Sequence, residues 1–133
     1  MTTEQGRQPT IFFVEEDEDT RIVLKESLTR YGYHVSVAID EEDAIDRISN
    51  SQLKPDLVLV DLVGKSTEDS LQTGRRIREH MKCNGYTPLI VMAEKYGRDI
   101  EGTDVNVGGD DWIVYLGEDL EQLQNILRRL TSQ

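Results

Sequence analysis

Three acidic side chains follow directly on two apolar runs. Glu15 and Glu16 come after Ile11-Phe12-Phe13-Val14, and Asp61 comes after Leu57-Val58-Leu59-Val60. Short, continuous, partly β-branched runs of this kind read as strands covered on both faces. Adjacent strands lie roughly 4.8 Å apart, so if these two pair, their terminal carboxylates converge on one small volume. Mutual repulsion there calls for a cation. Mg²⁺ suits it, because it takes hard oxygen ligands and keeps several waters beside one or two carboxylates. A carboxylate beside such an ion can also attack phosphorus and form an acyl phosphate. Acids after one strand read equally well as loop solvation or the start of a helix; two such strands together point to a site.

The elements that must position these acids alternate. A third apolar run, Leu89-Ile90-Val91-Met92, reads as a strand, with weaker candidates at residues 33–38 and 112–114. Between them lie stretches with helical spacing: Ile22, Leu24 and Leu28 ending at Gly32, a C-terminal cap; Ala44, Ile45 and Ile48 behind the N-cap candidate Asp40; and Ile77 and Met81 after Thr73-Gly74. Leu116, Leu120, Leu123, Leu127 and Leu130 form an apolar stripe, with Arg128 and Arg129 at the favourable end of the helix dipole. Five strands alternating with helices imply an α/β fold, a doubly wound parallel sheet whose ligands sit beyond the strands' carboxyl ends.

Composition narrows the partners. The 133 residues include 15 Lys+Arg against 26 Asp+Glu, a formal net charge of −11. That excess repels phosphate backbones and anionic lipid, which argues against direct binding of nucleic acid or a membrane surface. Residues 1–10 read as a loose tail and 11–133 as one domain, with no signal peptide and no apolar run long enough to span a bilayer. The single cysteine, Cys83, can form neither an internal disulfide nor a cysteine-rich zinc site, which suits a reducing cytoplasm.

Four segments, IFFVEEDEDTR at 11–21, PDLVLVDL at 55–62, TPLIVMA at 87–93 and GDDWIV at 109–114, resemble in order the strand motifs of bacterial response-regulator receiver domains. The resemblance implies a flavodoxin-like five-stranded sheet of order 2-1-3-4-5. It also implies two-component phosphorelay signalling, in which a histidine kinase or phosphotransfer protein donates a phosphoryl group to an Asp at the end of strand three. Asp61 is the matching residue, and Glu15 and Glu16 match the acids that help hold Mg²⁺.

The chain departs from the family pattern at several points. Glu16 stands where the family has Asp, one methylene shorter, so Mg²⁺, strict about its bonds of about 2.0–2.1 Å, is expected to bind weakly. Ala93 replaces the switch hydroxyl after strand four. Tyr115-Leu116 replace the Lys-Pro pair after strand five, and a phenol supplies no positive charge. Trp112 matches the switch aromatic of strand five and is expected near enough to the acids to report on the ion. Residues 64–72 read as a lengthened loop beside the site. Lys65 and Lys95 are candidate compensating cations; the alternative for each is a solvated loop lysine.

His34 and His80 lack ligand-spaced partners and read as ordinary surface or structural residues. Cys83 reads as a silent thiol, and Ser66, Thr67 and Ser70 as solvated loop residues open to modification. Residues 97–109 hold the place of helix four but contain Gly102, Thr103, Val105 and Asn106, so that helix is expected to be short or frayed. Two readings remain. One is a stand-alone receiver that catalyses its own acylation at Asp61 and works between a kinase and a downstream protein. The other is a pseudo-receiver, a binding module without a phosphorylation cycle. At 133 residues with no linker, neither is expected to leave room for a DNA-binding output domain, the alternative being that the chain is a piece of a longer regulator. Ala93 has nothing to pull inward and Trp112 is bulky, so the output face is expected to hold one conformation. It would bind a partner, or a second copy, through helix-five apolar residues; the stripe could equally be spent on the core.

Overall fold

A computed structural model describes residues 8–62, 64–81, 87–93, 96–117 and 119–131. In chain order the elements are β1 (Thr10–Glu15), α1 (Glu18–Arg30), β2 (His34–Ala38), α2 (Glu41–Ser49), β3 (Leu57–Asp61), α3 (Thr67–Glu79), β4 (Leu89–Met92), β5 (Thr103–Gly108), β6 (Asp111–Tyr115) and α4 (Glu121–Thr131). The sheet runs β2-β1-β3-β4-β6-β5, parallel except for the antiparallel β5–β6 pair. The expected 2-1-3-4-5 order is present, with the anticipated fifth strand now β6 and one further strand at its edge. No helix among the described residues is long and apolar enough to cross a membrane.

Strand alternation divides the core into two layers. Ile11 and Phe13 point with Leu57, Leu59 and Ile90 toward α1 and α4; Phe12 and Val14 point with Val58, Val60 and Val91 toward α2 and α3. All four β1 side chains from Ile11 to Val14 are fully buried, as the unbroken apolar run requires. Local signals set the helix ends. Asp40 caps α2 by accepting from the Asp43 amide at 2.8 Å, and Gly32, at φ 105°, turns the chain out of α1. Ile22, counted in the apolar spacing of α1, is instead 58% exposed, with Leu24, Ser27 and Leu28 forming the buried face.

Three expectations need correction. Residues 97–109 form no helix four: Thr103, Val105 and Val107 are β-branched at alternate positions and build β5, which returns through Gly109-Asp110 into β6. Asn106 closes that turn, its amide donating to the Gly109 carbonyl at 2.9 Å and its oxygen accepting from the Gly108 amide at 3.0 Å. Residues 64–72 are not a long loop. Ser66 caps α3 by accepting from the Asp69 amide at 3.0 Å, so Thr67 onward is helix and the extra length lengthens α3. The leucine stripe is spent on the core: Leu123, Ile126 and Leu127 are fully buried, and Leu116, Leu120 and Leu130 pack partly buried against the same layer. The apolar face proposed for a homodimer through helix five is therefore not left uncovered.

Opposite the carboxyl ends of the strands, α3 is clamped to the start of β6. Asp111, 4% exposed, accepts from Arg75 Nε at 2.8 Å and from Arg78 Nη1 at 2.6 Å, and Arg78 also donates to the Thr87 carbonyl. Burial alone would raise the Asp111 carboxyl, but the Arg78 and Arg75 hydrogen bonds hold it below its ordinary value.

Candidate functional site

The β1–β3 register brings Glu15 opposite Asp61 at the carboxyl end of the sheet. Glu15 is fully buried and Asp61 half-buried. One Glu15 oxygen, Oε2, accepts from the Asp17 amide at 3.1 Å; the other, Oε1, is buried without a hydrogen-bond partner. The Glu15 carboxyl is pushed up to about 9, chiefly by burial and then by the adjacent Asp61, with the Asp17 amide working in the opposite direction. Glu15 therefore holds its proton at neutral pH.

Glu16 does not join this pair. It lies in the bend after β1 with its side chain exposed. Among the described residues no three His, Cys, Asp or Glu side chains stand close enough together to hold a metal. Asp17, next along, is occupied as the N-cap of α1, accepting from the Thr20 amide at 2.8 Å. The expected convergence thus holds for Glu15 and Asp61 alone. A buried carboxylate oxygen without a partner, beside a second carboxylate, fits a hard divalent cation that keeps several waters.

The switch-equivalent positions lie after β4 and along β6. Ala93 follows β4, its amide donating to the Val114 carbonyl at 3.0 Å, with no hydroxyl to offer. Tyr115 ends β6 with its ring edge-on to Tyr96, centroids 5.5 Å apart, and the Tyr96 hydroxyl donates to the Leu116 carbonyl. Trp112 is not at the site end. It is the second residue of β6, opposite Ile90, facing the α1–α4 layer with the Arg129 guanidinium 5.3 Å from its ring centre. Strand rise puts it about 10 Å along the chain from Tyr115. Lys65 is exposed, and its charge helps lower the Glu41 carboxyl at the start of α2. Lys95 and Cys83 lie outside the described residues. His34 and His80 are both exposed.

One site residue carried no expectation. Arg21, on the second turn of α1, donates from Nη1 to the Glu15 carbonyl at 2.8 Å and toward the Glu16 carbonyl at 3.5 Å. Its legible signal was position: six residues after Glu15, it stands one helical turn in from the acids.

No family model matches the chain. It is 33% identical over 103 residues, 77% of its length, to the transcriptional regulatory protein YxdJ of Bacillus subtilis. The chain spans about half the length of the curated relatives it matches, 42% for YxdJ. Its fold superposes on a response regulator of Thermotoga maritima with a TM-score of 0.65 at 25% identity, covering 96% of this chain and all of that one. It also superposes on the receiver domain of the sensor histidine kinase PA1611 of Pseudomonas aeruginosa, with magnesium coordinated in its active-site cleft, at a TM-score of 0.63 and 22% identity over 96% of this chain and all of that one.

Proposed function

The chain is a response-regulator receiver domain, and from that premise we propose that it accepts a phosphoryl group on Asp61 and passes the signal on through protein contacts. The observation that carries this reading is the Glu15–Asp61 pair, two carboxyls in register at the carboxyl end of a doubly wound sheet. Glu15 and Asp61 would hold Mg²⁺, with Glu16 close enough in sequence to take part through water. When bound, the ion supplies charge neutralisation for the incoming phosphoryl oxygens. Asp61, half-buried at its strand end, is the nucleophile: one of its oxygens bonds to phosphorus as the bond from phosphorus to the donor, a phosphohistidine of a histidine kinase, breaks. Glu15 would give up its proton on binding the ion and so supply a second carboxylate beside Asp61.

A second reading, a phosphorylation-independent interaction module, is favoured by a specific observation. Ala93 has no hydroxyl where the family has its switch Thr or Ser, and Tyr115, its ring edge-on to Tyr96, has no ammonium where the family has Lys. Incubation with acetyl phosphate and Mg²⁺, followed by mapping of the modified residue, decides between them. Phosphorylation at Asp61, abolished by Asp61→Asn, supports the receiver cycle. Absence of label from both acetyl phosphate and a cognate kinase supports the module.

A further inference from the structure

Arg21 makes contacts that neither its charge nor its helix requires. An arginine on the exposed second turn of a helix ordinarily extends into solvent, yet this one turns back across the first turn and donates to the last carbonyl of β1. The carbonyls of Glu15 and Glu16 are where the chain leaves the ladder: β1 pairs with β3 up to Glu15, and α1 begins at Glu18. Glu16 and Asp17 thus carry the chain from strand to helix beyond the last paired residue. Three interactions close the turn. The Asp17 side chain accepts from the Thr20 amide at 2.8 Å, the Asp17 amide donates to Glu15 Oε2 at 3.1 Å, and Arg21 Nη1 donates to the Glu15 carbonyl at 2.8 Å. The Asp17 cap, with the Arg21 amide donating to the Asp17 carbonyl at 2.9 Å, joins the turn to α1. Arg21 Nη1 carries the link further, from the helix back to the last carbonyl of β1.

We propose that Arg21 is the positioning residue of the acidic site, its guanidinium fixing the β1–α1 turn so that the Glu15 carboxylate stays directed at Asp61. The inference deepens the cation-binding reading above and rests on it for its second readout only. Charge and position make opposite demands, which is what makes it testable. A guanidinium close to a cation site repels the ion, so removing the charge alone should tighten binding. If Arg21 positions the turn, removing it should weaken binding, because Mg²⁺ tolerates little displacement of its carboxylates. Arg21 is also placed to be felt by the neighbouring loop: its charge contributes to lowering the carboxyls of both Asp17 and Asp43, the latter accepting from the Ile39 amide after β2.

The test uses the full chain with Arg21→Ala and Arg21→Gln, the second retaining an N–H donor without the charge. Two quantities are read: the amide proton shift of Asp17 without metal, and the Mg²⁺ affinity from backbone amide shifts around Glu15 and Asp61. The expected result is that Arg21→Ala moves the Asp17 amide toward its unbonded value and weakens Mg²⁺ about tenfold, while Arg21→Gln restores both to within about twofold, the remainder of the spectrum being unchanged. Tighter Mg²⁺ binding in Arg21→Ala, or an Asp17 amide that does not move, overturns the proposal and leaves Arg21 a bystander charge. If the unsubstituted chain gives no Mg²⁺ response, the cation-binding reading fails by itself, and the Asp17 amide alone decides the role of Arg21.

Discussion

Glu15 and Asp61 face one another across the β1–β3 register, and the fully buried member of the pair has its carboxyl raised to about 9. Between the ordinary value of 4.5 and that raised value, the native state holds a proton that the unfolded chain releases. This contribution to stability is therefore complete below about pH 4.5 and is lost as pH rises toward 9. Without divalent cation, the melting temperature should fall from pH 5 to pH 8.5, and Glu15→Gln should flatten that slope. An unchanged slope in the variant would place the proton elsewhere.

Cation and proton compete for the Glu15 carboxyl. Mg²⁺ affinity should rise with pH across the same window, with close to one proton released per ion bound, measurable as a dependence of the binding enthalpy on the ionisation enthalpy of the buffer. Affinity independent of pH would mean that Glu15 takes no part in binding.

Ala93 meets β6 through its main chain, its amide donating to the Val114 carbonyl at 3.0 Å, and has no side-chain hydroxyl to add. With Mg²⁺ and beryllofluoride as a phosphoryl mimic, amide shifts should stay close to Asp61. In Ala93→Thr, which supplies a hydroxyl, they should spread through residues 97–116. Wide shifts in the unsubstituted chain would show that coupling needs no hydroxyl.

Arg78→Ala removes two of the hydrogen bonds to buried Asp111 and one to the Thr87 carbonyl, leaving Arg75 as the remaining partner. An incompletely paired buried carboxylate should lower stability by about 2–3 kcal/mol at neutral pH. Asp111 is held below its ordinary value of 3.8, so its contribution is present above that pH and fades as pH falls. The deficit of Arg78→Ala should shrink on acidification, and chemical denaturation at pH 7 and pH 3 checks this.

Gly74 sits where α3 crosses β4, and a Cβ there would lie 2.6 Å from Leu89 Cδ1 and 2.9 Å from Cδ2. Gly74→Ala should destabilise by about 1 kcal/mol, overpacking against a fully buried leucine exceeding the helical preference of alanine. A more stable variant would mean that Leu89 has an alternative rotamer within reach.

The parallel part of the fold was legible because its signals are local and redundant. Unbroken apolar runs at Ile11-Phe12-Phe13-Val14 and Leu57-Val58-Leu59-Val60 demand two covered faces, and Asp40 and Gly32 mark helix ends by their own chemistry. The pairing of Glu15 with Asp61 followed from those strands once they were adjacent. The hairpin is harder to read, because the poor helix formers of residues 97–109 predict only a short or frayed helix. Their alternation of Thr103, Val105 and Val107 before Gly108-Gly109 was positive evidence for a strand and turn. Ser66 reads by residue type as a loop hydroxyl, but a serine three residues before an acid opens a helix. The role of Arg21 is not legible in the sequence, because nothing in residue type distinguishes a guanidinium in solvent from one folded onto two carbonyls.

The hairpin changes the mechanical standing of the strand that ends in Tyr115. A sheet ending at β6 would leave that strand free to slide or bend along one side; here β5 is zipped to it over its whole length, and Asp104 of β5 is tied by Arg129 to α4. Any displacement of β6 must drag a second strand and strain a helix contact with it. Stiffness of this kind favours a surface that is recognised as it stands over one that is remodelled, and it should register as slow amide exchange in β6 on a par with the central strands.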